Sequence, residues 1–293
     1  MKPQPSDVAL QESVTRLIEM ALVEDIGSGD VTARYFVPGD RQARAFAVAR
    51  CDGVISGIAV AAQVFQTVDP TLDVEILIPD GSQVAAGAML MRIEGSARGV
   101  LTAERTALNF IQRLSGVATL TSRFVAEVKG TSARILDTRK TTPGFRLLEK
   151  QAVVHGGGSN HRLGLYDRAM VKDNHLVAEG GLAAIQTAIE RLHAEHPEVE
   201  VELEADSLEQ VRAFLELDGV AHILLDNMTL AELREAVAAR GDCCVPRLEA
   251  SGGVNLQTVR EIAETGINFI SVGALTHSAP ALDIGLDFVP VGG

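Results

Sequence analysis

Arg139, Lys140, His161, Arg162 and Lys172 fall within one short stretch of this chain, and their types point to anion chemistry. A guanidinium fork matches a carboxylate or phosphate through two parallel hydrogen bonds, whereas lysine acts as a point charge, so a mixed set suits a ligand bearing both kinds of anion. His161 by itself is more often a structural hydrogen-bonding residue than an acid or base. The stretch from Arg134 to His175 holds eight Lys or Arg against four Asp or Glu, a local balance of +4 that leaves −17 for the rest of a chain whose net charge is −13. An acidic molecule repels nucleic acid and anionic lipid at long range, which argues against a general polyanion-binding role. A basic island within it calls for a small anionic ligand.

Carboxylates and glycines complete the candidate chemistry. Glu204 and Asp226 could grip ribose hydroxyls or hold Mg2+ against a diphosphate. Their competing use is helix capping; Asp206, just before Ser207 and Leu208, suits a cap better, so Asp206 is expected to cap and Glu204 to serve the site. The small residues Ser251-Gly252-Gly253 and Gly273-Ala274 would let backbone amides approach a phosphate. No serine or cysteine has a His-based activating arrangement, so no covalent nucleophile is expected. The histidines show no metal-ligand spacing such as HExxH, and Cys51 with the pair Cys243-Cys244 forms neither a disulfide framework nor a CxxC motif.

The elements that must position these residues read as α/β. Apolar residues from Leu10 to Leu22 recur at helical spacing. Arg41 to Arg50, Leu72 to Ile78 and Ala88 to Glu94 read as strands, Gly57 to Val68 as a helix, and Ala97 to Lys129 as helical with a break near Ser115-Gly116. A domain boundary is placed at that break, giving a first domain over 1–116 and a second over 117–276, with the tail 277–293 packing back on the first.

The second domain repeats a short apolar strand, a polar loop and an amphipathic helix. Strands are expected at Ala133 to Leu136, Arg168 to Val171, Val199 to Leu203, His222 to Leu225, Arg247 to Ala250 and Asn268 to Val272. Helices are expected near Phe145 to His155, Leu182 to His193, Leu208 to Leu217, Leu230 to Arg240 and Leu256 to Thr265. Such a repeat predicts a parallel α/β barrel, complete or incomplete. The strands are followed by Asp137-Thr138-Arg139-Lys140, Lys172-Asp173-Asn174, Glu204-Ala205-Asp206, Asp226-Asn227, Ser251-Gly252-Gly253 and Gly273-Ala274. All the polar candidates therefore collect at C-terminal strand ends, the rim that carries the site in α/β barrels. No apolar run reaches membrane-spanning length and none follows the opening Met-Lys-Pro-Gln-Pro, so a cytoplasmic protein is expected.

Asp137-Thr-Arg-Lys-Thr-Thr-Pro-Gly144, then Leu148-Glu-Lys150, Gly156-Gly-Gly-Ser-Asn-His-Arg162, Gly164-Leu165 and Lys172-Asp-Asn-His175, resemble the signature of the quinolinate phosphoribosyltransferases. The likeness extends along nearly the whole chain, through Glu24-Asp25, Gly29-Asp30-Val-Thr32, Thr102-Ala-Glu-Arg105-Thr-Ala-Leu-Asn109, Leu225 to Met228 and Glu249 to Gly253. Val154 and His155 depart from residues often found before the triple glycine, outside the contact positions. The resemblance implies an N-terminal α/β sandwich domain, a C-terminal open α/β barrel, and a homodimer in which Arg105 enters the partner's quinolinate pocket. It further implies that Arg139, His161, Arg162 and Lys172 contact quinolinate. Lys140, Glu204, Asp226, Ser251, Gly252, Gly253, Gly273 and Ala274 would then serve phosphoribosyl diphosphate and its Mg2+, with Thr138 also binding substrate and Lys140, Lys172, Glu204 and Asp226 catalytic. Two other readings stand beside it. A nicotinate-type or paralogous phosphoribosyltransferase would need fewer cations, and a non-catalytic phosphosugar-binding protein would not need Glu204, Asp226 and the lysines.

Overall fold

The computed structural model describes residues 7–172 and 181–289, with side chains from residue 11 onward. The chain forms two compact units, one built from residues through 122, 141–157 and 278 onward, the other from 123–140 and 158–277.

The first unit is assembled on an antiparallel sheet of β1 (Gln42–Ala49), β3 (Asp73–Ile76), β5 (Met89–Ser96) and β12 (Ile284–Val289), in the order β12-β1-β5-β3. In β1 the period-two alternation turns Ala43, Ala45 and Ala47 inward, the pattern of a strand with one buried face. The last strand, β12, pairs with β1 from Arg44↔Val289 to Ala49↔Ile284. Helix α1 (Asp7–Ile26) is followed by the short α2 (Val31–Phe36), which Asp30 caps by accepting the Ala33 amide at 2.8 Å. A two-stranded pair, β2 (Gly53–Val54) with β4 (Gln83–Val84), flanks α3 (Ile58–Val68), whose first amide is taken by Asp80 at 2.9 Å.

Helix α4 (Ala97–Glu127) runs without interruption through Ser115-Gly116, contrary to the expected break. Both residues are small for contact reasons. Ser115 Oγ accepts the Ser56 amide at 3.0 Å and donates to the Ser56 carbonyl at 3.1 Å. A Cβ on Gly116 would lie 2.0 Å from the Pro280 carbonyl oxygen, so only glycine lets that segment approach. Helix α5 (Arg146–His155) belongs to this unit, where buried Glu149 accepts from Arg113 at 2.8 Å and from the Thr142 amide at 3.0 Å.

The second unit holds a parallel sheet of β6 (Arg134–Leu136), β7 (Ala169–Val171), β8 (Val201–Ala205), β9 (Val220–Asp226), β10 (Arg247–Ser251) and β11 (Phe269–Ser271), ordered β6-β11-β10-β9-β8-β7. Among the described residues no ladder joins β6 to β7, so the barrel is open. The helices are α6 (Leu182–Glu195), α7 (Leu208–Leu215), α8 (Leu230–Arg240), α9 (Val259–Ala263) and the one-turn α10 (Ala274–His277). Ser207, not Asp206, caps α7, because its hydroxyl accepts the Gln210 amide while Asp206 stays exposed. Strand β8 starts two residues later than the apolar pattern suggests: the Val199 amide donates to the His196 carbonyl and closes a turn that keeps Val199 out of the ladder. Glu204 therefore lies inside β8, while Asp226 and Ser251 are the last residues of β9 and β10.

Candidate active site

The strand ends of the second unit enclose a cavity of about 530 Å³. Thr138, Arg139, Lys140, His161, Arg162 and Lys172 line it together with Glu204, Asp226, Ser251, Gly252 and Gly253. Those sequence-predicted residues thus share one space. Gly273 and Ala274 are not among its lining residues; a Cβ on Gly273 would sit 3.1 Å from the Lys140 side chain, so the glycine packs beneath that lysine. Arg105 is exposed on α4 of the first unit, and Asp173 and Asn174 lie outside the described residues.

The cations are set by local chain geometry. Asp137, fully buried at the end of β6, accepts the His161 amide at 2.9 Å, which ties the Gly-rich return at 156–162 to the loop bearing Arg139 and Lys140. That loop is pinned by Lys140 donating its amide to Thr138 Oγ1 at 3.1 Å, and by Thr276 Oγ1 donating to the Lys140 carbonyl at 2.7 Å. Arg162 is only 7 % exposed, and its guanidinium reaches the Arg168 carbonyl at 3.3 Å and Met170 Sδ at 3.4 Å. Burial, followed by the positive charge of Arg139, pulls Arg162 below its ordinary pKa. Two guanidiniums held in mutual repulsion at a cavity wall are stabilised when an anion enters.

Glu204 and Asp226 occupy the mouth. Lys172 Nζ lies 2.8 Å from Glu204 Oε2, with the carboxylate largely covered and the ammonium half exposed. Asp226 accepts from Asn227 Nδ2 at 2.8 Å. Parallel register sets Glu204 beside Leu224, two residues before Asp226, so the two carboxylates are diagonal neighbours on adjacent strands. The adjoining loops are knitted together by the Asn227 amide donating to the Ser251 carbonyl at 2.9 Å. Gly252 sits at φ +97°, and a Cβ there would fall 2.1 Å from Asn227 Oδ1. A non-glycine residue would close this backbone to a ligand.

Below the cavity lies a buried ionic cluster that pattern reading missed. His161 Nε2 is 3.2 Å from Glu202 Oε2 and 3.3 Å from Glu249 Oε1, with both carboxylates fully buried. Arg168 Nη1 donates to Glu202 at 3.0 Å, Arg168 Nη2 to Glu200 at 3.3 Å, and His222 Nε2 meets Glu200 at 3.2 Å. Burial and the charge of Glu202 raise the Glu249 carboxyl. Glu202 is held low because His161 and Arg168 outweigh its own burial. Burial disfavours the His161 cation, but Glu249 and Glu202 outweigh it and lift the ring to about 9. The Arg162 amide donates to His161 Nδ1 at 2.7 Å, which requires that nitrogen to be unprotonated. That contact is the geometry of a ring carrying its proton at Nε2, and the raised proton affinity reflects the two carboxylates facing that nitrogen. Burial, then the charge of Arg168, lowers His222 to about 4. The only sequence signal was the spacing Glu202-x-Glu204, which puts both side chains on one strand face; a charge on an apolar strand next to Glu204 marks an interior site.

An open parallel α/β barrel whose rim joins a cationic wall, two carboxylates and a glycine-lined backbone is a barrel of the anion-binding class. Family models for the quinolinate phosphoribosyl transferase N-terminal and C-terminal domains match residues 30–115 and 117–287. The chain is 42% identical over 290 residues to the chloroplastic nicotinate-nucleotide pyrophosphorylase [carboxylating] of Arabidopsis thaliana, covering 92% of this chain and 81% of that one. It is 44% identical over 275 residues to the corresponding protein of Mycobacterium leprae, covering 92% and 95%. The nicotinate-nucleotide pyrophosphorylase structure from Francisella tularensis superposes with a TM-score of 0.87 at 37% identity, over 95% of this chain and 96% of that one. The chain belongs to the quinolinate phosphoribosyltransferase family.

Proposed function

We propose that this chain converts quinolinate and 5-phosphoribosyl 1-diphosphate to nicotinate mononucleotide, CO2 and diphosphate, a step of NAD biosynthesis. The observation that carries the reading is the single cavity in which Arg139, Arg162 and Lys172 meet Glu204, Asp226 and the Gly252-Gly253 backbone. Quinolinate is a dianion and phosphoribosyl diphosphate carries several negative charges, so a crowded anionic complex must be neutralised before the ring nitrogen can reach the anomeric carbon. Arg139, His161, Arg162 and Lys172 form the quinolinate wall in this reading. Thr138, Lys140, Ser251, Gly252 and Gly253 hold the phosphosugar, with Gly273 packed beneath Lys140.

The ring nitrogen forms a bond to the anomeric carbon as the carbon–oxygen bond to diphosphate breaks and its electron pair leaves with that group. The nitrogen becomes cationic. The neighbouring carboxylate then leaves as CO2, the pair from its carbon–carbon bond is held at the ring carbon beside the pyridinium, and that carbon takes up a proton. The protein's part is orientation and exclusion of water by the arginine and lysine wall. Lys172, paired with Glu204, links the quinolinate side of the cavity to the phosphosugar side.

Glu204 and Asp226 fit Mg2+: they are oxygen donors at a mouth, and this ion is commonly held by one or two carboxylates plus substrate phosphates. Bound there, it would stabilise the departing diphosphate. In the same reading the protein is a homodimer, with Arg105 of each subunit completing the partner's quinolinate pocket. The exposed thiols Cys51, Cys243 and Cys244 suit a reducing compartment such as the cytoplasm. Among the described residues no helix is long and apolar enough to cross a membrane.

Incubation with Mg2+, phosphoribosyl diphosphate and either quinolinate or nicotinate tests the assignment. Quinolinate is expected to be consumed and nicotinate to be left; the reverse preference would replace this reading with a nicotinate-type activity.

A further inference from the structure

His161 lines the cavity, yet both of its ring nitrogens are engaged by the protein. Nε2 faces Glu202 at 3.2 Å and Glu249 at 3.3 Å, and Nδ1 receives the Arg162 amide at 2.7 Å. A ring held in this way meets a ligand in a fixed orientation. It serves as a brace between two buried carboxylates below and the Arg162 backbone beside it. Glu249 is the member of this brace that also borders the cavity, and its Oε1 accepts from the Ser271 hydroxyl on the adjacent strand.

We propose that Glu249 is a positioning residue for the cationic wall: fixed by Ser271, it orients the His161 ring, and the ring in turn fixes the backbone from which Arg162 reaches into the cavity.

The geometry leaves little slack. His161 and Arg162 are adjacent in sequence, the His161 amide is tied to Asp137 at 2.9 Å, and the Arg162 guanidinium is braced on the Arg168 carbonyl at 3.3 Å. Arg168 is itself held by Glu202 at 3.0 Å. The shortest link from the buried cluster to the ligand runs from Glu249 through the His161 ring to the Arg162 backbone. Loss of Glu249 should weaken binding of the heterocycle selectively, because a misplaced guanidinium fork loses its two-bond match to a carboxylate. The proposal rests on the assignment of this wall to quinolinate.

Three proteins test it: Glu249→Leu, which keeps volume but removes the acceptor, Glu249→Gln, which keeps shape and an acceptor, and Ser271→Ala. Glu249→Leu is expected to raise the KM for quinolinate about tenfold, the cost of one lost buried hydrogen bond, with the KM for phosphoribosyl diphosphate within about twofold. Glu249→Gln should recover most of that affinity, and Ser271→Ala should shift the same constant in the same direction by less. Ring-nitrogen NMR of histidine-labelled protein without substrates should show His161 as the Nε2–H form in wild type and altered in Glu249→Leu. Equal increases in both KM values would mean a general structural role and would overturn the proposal, as would an unmoved His161 signal. Should wild-type protein fail to turn over quinolinate, the functional assignment falls, while the ring signals still report whether Glu249 orients His161.

Discussion

Arg139 and Arg162 were legible because charge types and their clustering do not depend on knowing the fold. Their effect depends on shape: a fork that makes two bonds cannot be replaced by a point charge. Arg162→Lys is expected to raise the KM for quinolinate at least about tenfold at unchanged fold, checked by steady-state kinetics beside circular dichroism. Glu202, Glu249, Arg168 and His222 were not legible, since a charged residue within a strand normally reads as the solvent side of an alternating pattern. Here the parallel sheet is covered on both faces, so the same alternation buries them. Burial of His222 has a consequence for pH. Its folded-state pKa of about 4 lies below the unfolded value near 6.5, so the unfolded chain takes up a proton first as pH falls. Stability is expected to be lost between about pH 6.5 and 4, and His222→Phe should flatten that loss in thermal melts across the range.

Helix α8 (Leu230–Arg240) was read to the residue, because a capping box at Thr229 and Glu232 and a glycine at 241 mark both ends in the sequence. The expected break at Ser115-Gly116 was a misreading with a clear cause: pattern alone cannot distinguish a glycine that ends a helix from one that admits a neighbour. Gly116→Ala tests the distinction. If the glycine served only as a breaker, alanine would extend the helix and stabilise it. With the Pro280 carbonyl at 2.0 Å from the added carbon, the substitution is expected instead to destabilise by about 1–3 kcal/mol, read from urea unfolding. At the rim, Gly252→Ala combines a clash with Asn227 and a left-handed φ, and should weaken phosphoribosyl diphosphate binding while quinolinate binding changes little in equilibrium titrations.

At the scale of the molecule, the parallel α/β unit was accessible because its strand and helix signals alternate locally along the chain. The first unit was less so, since it gathers three separate stretches of chain and closes its sheet by pairing Ala49 with Ile284. The expected return of the tail to this unit carried no strand pairing, because no local pattern encodes a register of that separation. The proposed homodimer belongs to this scale as well. Mixing Arg105→Ala protein with Lys172→Ala protein should restore part of the activity as subunits exchange; exchange without recovery would show that each site is complete within one chain. The central claim, that one cavity joins quinolinate to phosphoribose with loss of a specific carboxylate, is tested most directly by isotope-labelled quinolinate. With Mg2+ and phosphoribosyl diphosphate, label in the carboxylate beside the ring nitrogen should appear in CO2 in equal amount to diphosphate and nicotinate mononucleotide. Label in the other carboxylate should stay in the nucleotide, and release from that position, or diphosphate formed without CO2, would contradict the account.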